Sequence, residues 1–258
     1  FLSLFGVTIG IFCIIGVLAT VQSLEHNIQQ EIKSLGTNTI YYDKWDYSAG
    51  GGPDYPWWKF VKRPFPKYEE LDAIKKRSGV TKYAAFKIET TGNVEYSDNI
   101  LSNTRIYGIS DDFEDIQPFD TRYGRYISDV EFNAGTSVFV VGQDVAEKLF
   151  GEAERGVGKT LNAKGKKALI IGVIKKQGKQ MIGGWDFDQS IVTPYRFARS
   201  FIDERSDNAQ SVIMIQGSEG VSSVALKDDL KGVMRSVHKL SPKTDDNFSL
   251  NDVNEFSD

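Results

Sequence analysis

The first 24 residues contain no charged side chain, and apolar positions there follow one another almost without interruption. Sixteen of these residues are apolar and three are glycine. A helix of this length extends about 36 Å, which exceeds the roughly 30 Å hydrocarbon core of a bilayer. The alternative is a cleaved signal peptide, but neither a basic N-terminal region nor a small-residue cleavage site is visible. The pattern predicts a retained transmembrane helix over residues 1–24.

Two glycines in this segment have the spacing of a helix-packing motif. Gly6 and Gly10 form a GxxxG pattern, and such small residues let a second helix approach closely in lipid. Glycine is also common in membrane helices in general. The pattern therefore leaves both interpretations open.

A one-sided apolar stripe continues on an otherwise polar stretch and predicts a helical stalk over residues 25–36. Gly36 is a typical C-terminal stop. The stalk either continues the membrane helix as a rod that transmits force, or packs on its own domain. The stripe consists of Leu24, Ile28, Ile32 and Leu35, at positions i, i+4, i+8 and i+11.

Beyond the stalk, alternating apolar positions and helical spacings predict an α+β fold. The element order is β–α–β–β–β, then a second module, then β–α–β. It predicts an α+β domain over 37–118 and 208–258, interrupted by an inserted second α/β module over 119–207. The predicted strands are 37–42, 84–88, 94–96, 104–109, 137–141, 168–175, 191–193, 211–216 and 248–250, with a turn at 91–93. The predicted helices are 66–78, a short one after Ser110, 144–150, 195–202 and 221–240.

Composition and charge narrow the classes of function. The chain has 31 basic and 35 acidic residues, a net charge of −4 and a pI near 5.4, so it has no general attraction for nucleic acid. Its single cysteine, Cys13, lies in the apolar segment, and its two histidines, His26 and His238, lie far apart in sequence. This excludes a disulfide framework and a cysteine-based metal site, and it argues against most enzymes.

One segment comes close to a phosphate-binding loop. Residues 153–160, AERGVGKT, lack only the first glycine of that motif. A true phosphate-binding loop follows a buried strand and opens a helix, whereas here a predicted helix precedes the motif and a strand follows it. The segment is predicted to be a surface turn.

Three groups of neighbouring carboxylates are present, but none has metal-ligand spacing. Catalytic carboxylate pairs need different degrees of burial to separate their pKa values, and the first group is typical of a helix start. No GxSxG nucleophile motif occurs. The groups are Asp111/Asp112/Glu114/Asp115, Asp186/Asp188 and Asp245/Asp246.

An aromatic loop and a basic loop are candidate contact segments. Trp57 and Trp58 end a Gly/Pro/aromatic stretch that begins near residue 47. They are predicted to meet lipid headgroups, to contact a partner protein, or to pack over a sheet edge of their own domain. The basic, glycine-rich loop 175–184 is interpreted as a solvated loop, with acidic lipid or a partner as alternatives.

Several segments in a fixed order resemble the MacB-like periplasmic core domain of ABC transporter permeases, within the MacB/FtsX-type group. The loop over 49–58 is longer and more aromatic than the family pattern. The matching segments are LFGVTIGI (4–11), LGTN (35–38), YGISDDF (107–113), GRY (124–126), VVG (140–142), AEKLFG (146–151), GVGKTL (156–161) and IIGV (170–173). The resemblance also explains residues 153–160, because the family has a Val-Gly-Lys turn before a strand there.

The resemblance implies a permease subunit of the bacterial inner membrane, with its first membrane helix followed by a domain on the periplasmic side, beginning near residue 36. It also implies that the part over 37–118 and 208–258 is a porter-like β-α-β subdomain and that 119–207 is its inserted subdomain. It implies no catalytic residues or cofactor in this chain. ATP is expected on a cytoplasmic ATPase, fused or separate, and the permease is expected to act as a homo- or heterodimer. The stalk would relay ATP-driven motion to an extracytoplasmic partner or cargo, in efflux or export.

Two other classes of protein remain as alternatives. The first is the extracytoplasmic sensor domain of a signalling receptor, which also places one membrane helix before an α+β module. The second is a membrane-anchored hydrolase, which requires a buried cluster of groups with shifted pKa values. No such cluster is recognisable in the sequence.

Overall fold

A computed structural model of the protein describes residues 9–23, 38–49, 54–178, 185–204, 206 and 208–252. Residues 9–23 are helical (α1). Among the described residues, none of the helices combines the length and the hydropathy that a bilayer crossing requires. Gly6, Gly36 and the whole predicted stripe of Leu24, Ile28, Ile32 and Leu35 lie outside the described residues.

In the part of the chain that the structure describes, ten strands form one hydrogen-bonded network, in the order β10-β1-β9-β2-β3-β8-β5-β7-β4, and β6 pairs with both β2 and β7. Two neighbouring pairs, β3–β8 and β5–β7, are parallel, and the other pairs are antiparallel. The strands are β1 (Thr39–Asp43), β2 (Thr81–Tyr96), β3 (Asn99–Ile109), β4 (Thr121–Gly124), β5 (Val138–Val141), β6 (Thr160–Ala163), β7 (Lys166–Ile174), β8 (Ser190–Pro194), β9 (Gln210–Gly217) and β10 (Ser249–Asp252).

Among the described residues, seven further helices connect these strands. The longest, α8, begins after Ser222, whose side-chain oxygen accepts a hydrogen bond from the Ala225 amide at 3.2 Å, a standard N-cap. The helices are α2 (Trp57–Phe60), α3 (Tyr68–Arg77), α4 (Phe113–Ile116), α5 (Asp129–Ala134), α6 (Gln143–Phe150), α7 (Tyr195–Ala198) and α8 (Ser223–Val237). The mixed composition of helices and strands confirms the predicted α+β class.

The part of the sheet formed by β10, β1, β9 and β2 buries a different core on each face. One face packs against α3 and α8 through residues such as Leu71, Ile74 and Leu230. The opposite face is rich in aromatic residues, among them Tyr107, Phe113 and Trp185. Successive residues of a strand point to opposite faces, so β1 contributes Tyr42 to the first core and Tyr41 to the second.

Strand β2 also belongs to a closed ring of strands, which contains all the remaining strands except β4. Because β6 pairs with β2 at one side and with β7 at the other, hydrogen bonds run around a ring of β2, β3, β8, β5, β7 and β6. A third core, with Phe139, Leu149 and Leu161, lies against these strands. The division into a porter-like part and an inserted subdomain over 119–207 stays a prediction.

Local predictions were wrong in two places. The turn expected at 91–93 is part of the 16-residue strand β2, which has a register shift between Gly92 and Val94. Beyond that shift β2 goes on pairing with β3 and also pairs with β6 at Val94–Ala163. The aromatic loop expected near Trp57 contains the short helix α2 instead.

Candidate interaction surface

Helix α2 presents an aromatic pair to solvent. Trp57 and Trp58 are 58% and 57% exposed, and their ring centroids lie 6.1 Å apart in an edge-to-face arrangement. Val61, directly after the helix, is also exposed. Exposure of more than half of each indole does not agree with packing of the pair over the sheet edge. We call Trp57, Trp58 and Val61 the aromatic patch.

A buried anchor and two cations hold α2 in place. Phe60 is 6% exposed, and its ring lies 5.6 Å from that of Tyr55. The Arg63 guanidinium lies 4.7 Å from the Phe60 ring centroid, a cation–π distance. The Lys44 ammonium donates a hydrogen bond to the Val61 carbonyl at 3.1 Å. The exposure of the aromatic patch is therefore fixed by its neighbours.

The described domain begins and ends at one end of the β1–β10 strand pair. The aromatic patch lies at the opposite end of this pair. In β1–β10, Ile40 pairs with Asp252 and Asp43 pairs with Ser249. Arg63, which follows α2, donates to the Ser249 hydroxyl at 2.7 Å. The chain therefore enters and leaves the domain at one end of this strand pair, and α2 sits beside the other end.

Replacing both tryptophans by serine (W57S/W58S) is expected to change the free energy of unfolding by no more than about 0.5 kcal/mol, because both side chains are exposed. The same variant should lose most of its acrylamide-quenchable fluorescence, since of the two remaining tryptophans Trp185 is only 2% exposed and Trp45 is half-buried. Denaturant unfolding and collisional quenching measure the two effects. Phe60→Ala, which removes the buried anchor, is the contrast and should unfold at clearly lower denaturant. Destabilisation by W57S/W58S equal to that of Phe60→Ala would contradict this description of α2.

A buried cluster of titratable groups lies between α3, α8 and β1. His238 Nε2 lies 2.9 Å from Glu70 Oε1, and the Tyr42 hydroxyl donates to Glu70 Oε2 at 2.9 Å. The other ring nitrogen of His238, Nδ1, lies 2.6 Å from Asn247 Oδ1. Glu70 also accepts the Lys67 amide at 2.9 Å and so caps the start of α3. No local sequence pattern points to this cluster, because Glu70 and His238 are 168 positions apart.

A second buried carboxyl lies on the opposite face of β1. Asp43 is 6% exposed and accepts hydrogen bonds from the Tyr47 hydroxyl at 2.5 Å and the Lys44 amide at 2.6 Å. Burial raises the pKa of Asp43 above its ordinary value, although these hydrogen bonds act in the other direction. The Tyr47 amide in turn donates to Asn251 Oδ1 at 2.9 Å, which fixes the loop after β1 to β10.

The segment that is close to a phosphate-binding loop is a turn in the structure, as predicted. Residues Ala153–Gly156 form a single 3-10 turn that leads into β6. The Gly158 amide donates to the Ile170 carbonyl at 2.8 Å, and the Ile170 amide donates to the Lys159 carbonyl at 2.8 Å. The backbone amide of Gly158 therefore donates to strand β7 and is not available to bind a phosphate.

The carboxylate groups predicted from the sequence have structural partners. Lys75 forms ion pairs with Asp111 at 3.3 Å and Asp112 at 2.9 Å. Asp188 accepts the Gln177 and Gly178 amides at 2.9 and 2.8 Å, which ties down the described start of the basic loop. Within the ranges that the structure describes, no group of three or more histidine, cysteine or acidic residues has the arrangement of a metal site.

The last carboxylate group lies after α8. Asp246 pairs with Arg235 and, at 3.4 Å, with Lys231. Both basic residues belong to α8, so the pairs connect this helix to the segment that leads into β10. A role in packing therefore accounts for Asp246.

The fold matches solved extracytoplasmic domains of ABC transporters. The periplasmic region of MacB from Actinobacillus actinomycetemcomitans aligns with a TM-score of 0.68 at 17% identity, over 89% of this chain and 95% of that one. The extracellular domain of YknZ, a noncanonic ABC-type transporter from Gram-positive bacteria, aligns with a TM-score of 0.61 at 18% identity, over 83% of this chain and 100% of that one. These similarities place the domain in the same fold class.

The model of the MacB-like periplasmic core domain matches residues 1–233. The chain therefore belongs to this family of ABC transporter permease domains, which confirms the resemblance seen in the sequence.

Full-length relatives agree with this assignment. The macrolide export ATP-binding/permease protein MacB of Bdellovibrio bacteriovorus is 24% identical over 93% of this chain and 35% of its own length. The uncharacterized ABC transporter permease YvrN of Bacillus subtilis is 25% identical over 69% of this chain and 43% of its own length. The chain thus spans about a third to two fifths of these relatives. The match favours a permease component over the sensor domain of a receptor.

Proposed function

We propose that the chain comprises the first membrane helix and the extracytoplasmic domain of an ABC transporter permease subunit. In this proposal the domain is non-catalytic and relays ATP-driven motion of the membrane helices to an extracytoplasmic partner or cargo, in efflux or export. The observation that carries the proposal is the family match over residues 1–233. ATP is bound and hydrolysed by the ATPase and not by this chain.

Anchoring in the bacterial inner membrane is supported by the N-terminal segment. Residues 1–24 are free of charge, and within the helical part Ile11, Phe12 and Ile15 are each more than half exposed. Exposed apolar side chains in succession are stable in lipid and costly in water. Adding a methyl group at Gly10 would meet no atom within 4 Å, so this glycine remains free to pack against a helix of another span or subunit, together with Gly6.

The positions of the ends of the domain also fit this topology. Asn38 leads into β1, and β1 pairs with β10, the last described strand, so that Ile40 and Asp252 are neighbours. A domain inserted between two membrane helices must return its chain to the membrane close to where it left. The aromatic patch then faces away from the bilayer, which favours a partner protein over lipid headgroups for Trp57 and Trp58.

The proposed partners are an ABC ATPase, a second permease copy and an extracytoplasmic protein. The printed name of the Bdellovibrio relative combines an ATP-binding and a permease part, whereas the Bacillus relative is named a permease alone. The ATPase is therefore proposed to lie either on the same chain or on a separate one. Purification of the native protein in mild detergent, followed by mass spectrometry, should yield an ATPase in stoichiometric amount, on the same chain or as a partner. Recovery of a kinase or another signalling module in its place would refute the proposal.

Removing the stalk stripe with Ile28→Ser and Ile32→Ser is expected to uncouple the domain from the membrane helices while ATPase assembly stays intact. The reason is that a relay through a helix needs its apolar side to stay packed. The measurement is the ATP-dependent change in distance between spin labels placed at residue 62 of the two permease copies. This change should disappear in the double variant. Gln29→Ser with Lys33→Ser, the same spacing on another side of the stalk, should retain it, and an unchanged response in the stripe variant would disprove the relay.

A further inference from the structure

An open cleft of about 800 Å³ lies beside the aromatic patch, between the segment that joins α2 to α3 and the segment that joins α7 to β9. Val61 of the patch lies on its rim. Its floor is formed by the lining residues that are buried. These floor residues are Lys44, which directly follows β1, and Pro66, Phe86, Ile202 and Ser211.

The floor contains one charged group, the ammonium of Lys44, a residue that is only 7% exposed. Among the described residues, no carboxylate forms an ion pair with it, and its polar contact is the Val61 carbonyl at 3.1 Å. The rings of Phe65 and Trp45 lie 4.2 and 4.9 Å from Nζ. Burying a cation without a counter-ion is unfavourable, and the aromatic rings offset this cost only in part. The neighbouring Asp43 does not help, because its carboxyl lies on the other face of β1.

Other cations surround the entrance. Arg63 lines the cleft, and its Nη1 donates to the Lys44 carbonyl at 3.4 Å and to the Ser249 hydroxyl at 2.7 Å. Arg199 and Lys67 are exposed on the rim. The strongest positive potential in the cleft is therefore expected along its wall from Lys44 to Arg63.

The acidic residues of the cleft lie away from the floor. Glu69 and Asp203 are exposed on the rim, where water screens them. Glu204 accepts a hydrogen bond from the Tyr195 hydroxyl. None of the three forms an ion pair with Lys44, so, as far as the described residues extend, the cleft offers an anion a buried cation that has no anionic partner.

We infer that this cleft binds an amphipathic organic carboxylate. Its carboxylate would replace water at Lys44 Nζ and Arg63, and its apolar part would lie against Phe86, Ile202 and Phe65. A phosphate is less suited, because it carries nearly two charges and needs several donors, whereas the floor provides one ammonium among apolar side chains. The same chemistry is offered by a free organic acid and by the carboxylate end of a peptide with an apolar last residue. The inference is independent of the proposed transport function.

The test compares acids with their uncharged amides by calorimetric titration of the whole chain in detergent. The probes are 4-phenylbutyrate against 4-phenylbutyramide, and acetyl-Leu-Phe with a free C-terminus against its amidated form. At least one acid should bind at a single site with a Kd of about 0.1–1 mM, as expected for ligands of this size, and its amide should bind at least ten-fold more weakly. Tighter binding of the peptide would assign the site to a protein segment, and tighter binding of phenylbutyrate to a free acid; both outcomes support the inference.

Variants then locate the binding. Lys44→Met keeps the apolar stem without the charge and should weaken acid binding at least ten-fold. Lys62→Met is the matched control, because Lys62 is exposed on the same segment and does not line the cleft; it should bind the acid as the unsubstituted chain does. Equal binding of acid and amide, unchanged binding in Lys44→Met, or no binding of either acid would overturn the inference. The acid–amide comparison decides the matter on the unsubstituted chain should Lys44→Met fail to fold.

Discussion

Replacing Glu70 with alanine is expected to lower the free energy of unfolding by about 3–5 kcal/mol, the range found when one partner of a buried ionic pair is removed. Glu70 and His238 are 11% and 8% exposed at their side chains. The substitution deprives His238 and the buried Tyr42 hydroxyl of a hydrogen-bond acceptor, and α3 of its capping carboxylate. Each buried polar group left without a partner adds to the cost.

Glu70→Gln keeps the shape of the side chain without its charge and should weaken the pH dependence of the stability. The hydrogen bond to the Glu70 carboxylate raises the pKa of His238 above its ordinary value. A raised folded-state pKa gives stability that is fully present below the unfolded-state pKa of about 6.5 and is lost as the pH rises through the folded-state pKa. The unsubstituted chain should therefore lose stability above about pH 6.5, and Glu70→Gln should lose less over the same interval.

Urea denaturation between pH 5.5 and 9 measures both effects. The comparison between the two chains removes contributions from groups that titrate equally in both. Identical pH profiles for the unsubstituted chain and Glu70→Gln would show that the cluster is not charged. A loss below about 1 kcal/mol in Glu70→Ala would show that its hydrogen bonds are replaced by water.

Gly142→Ala is expected to destabilise the protein by about 3 kcal/mol, at the upper end of ordinary overpacking. A methyl group at Gly142 would lie 2.1 Å from the Phe187 carbonyl oxygen and 2.3 Å from that of Asp188. Both are backbone atoms, so no side chain can rotate away. The Asp188 carbonyl also accepts the Asp144 amide at 3.1 Å, and moving it would disturb the first turn of α6.

Gly79→Ala is the matched control for this prediction. Its added methyl group meets no atom within 4 Å, and its backbone is not in the left-handed region. Glycine-to-alanine changes of this kind are neutral or stabilising by up to about 1 kcal/mol, because the unfolded chain loses freedom. In thermal unfolding, Gly142→Ala should therefore lower the melting temperature, whereas Gly79→Ala should leave it unchanged or raise it. Equal melting temperatures for Gly142→Ala and Gly79→Ala would mean that the segment at Phe187 moves freely.

Elements with a strong local pattern were predictable from the sequence. The strand SVIMIQ lies within β9. Leu230 and Val233, two of the apolar positions whose spacing predicted the helix over 221–240, are buried on α8. One local signal was present but missed. Ser128 and Glu131 have the spacing of a capping box, and α5 begins directly after Ser128 with that box formed.

Features that depend on distant partners could not be predicted in the same way. Gly92-Asn93 is a typical turn dipeptide, yet β2 continues through it because β3 and β6 both supply hydrogen-bonding partners there. Tertiary pairing thus outweighed local turn preference. The short helix at Trp57 depends similarly on contacts from Lys44 and Arg63.

In the candidate surfaces, too, the residue types were evident from the sequence but their exposure or burial was not. The aromatic character of Trp57 and Trp58 was evident, but their exposure depends on the buried Phe60 beside them. Lys44 looked like an ordinary lysine after a strand, and its burial follows from the close approach of the rings of Trp45 and of Phe65 on the α2–α3 segment. Burial of a charge is a property of the assembled fold and leaves no local pattern in the sequence.

The pairing of β1 with β10 has a mechanical consequence. Ile40 and Asp252 are neighbours in an antiparallel pair, and β10 lies at the border of the sheet with four residues. A pull that separates the two ends of the domain acts across this ladder, so that its hydrogen bonds open one after another instead of sharing the load. A push or tilt that moves both ends in concert loads none of these bonds. The domain is thus built to move as one piece under joint displacement of its ends and to yield when they are drawn apart.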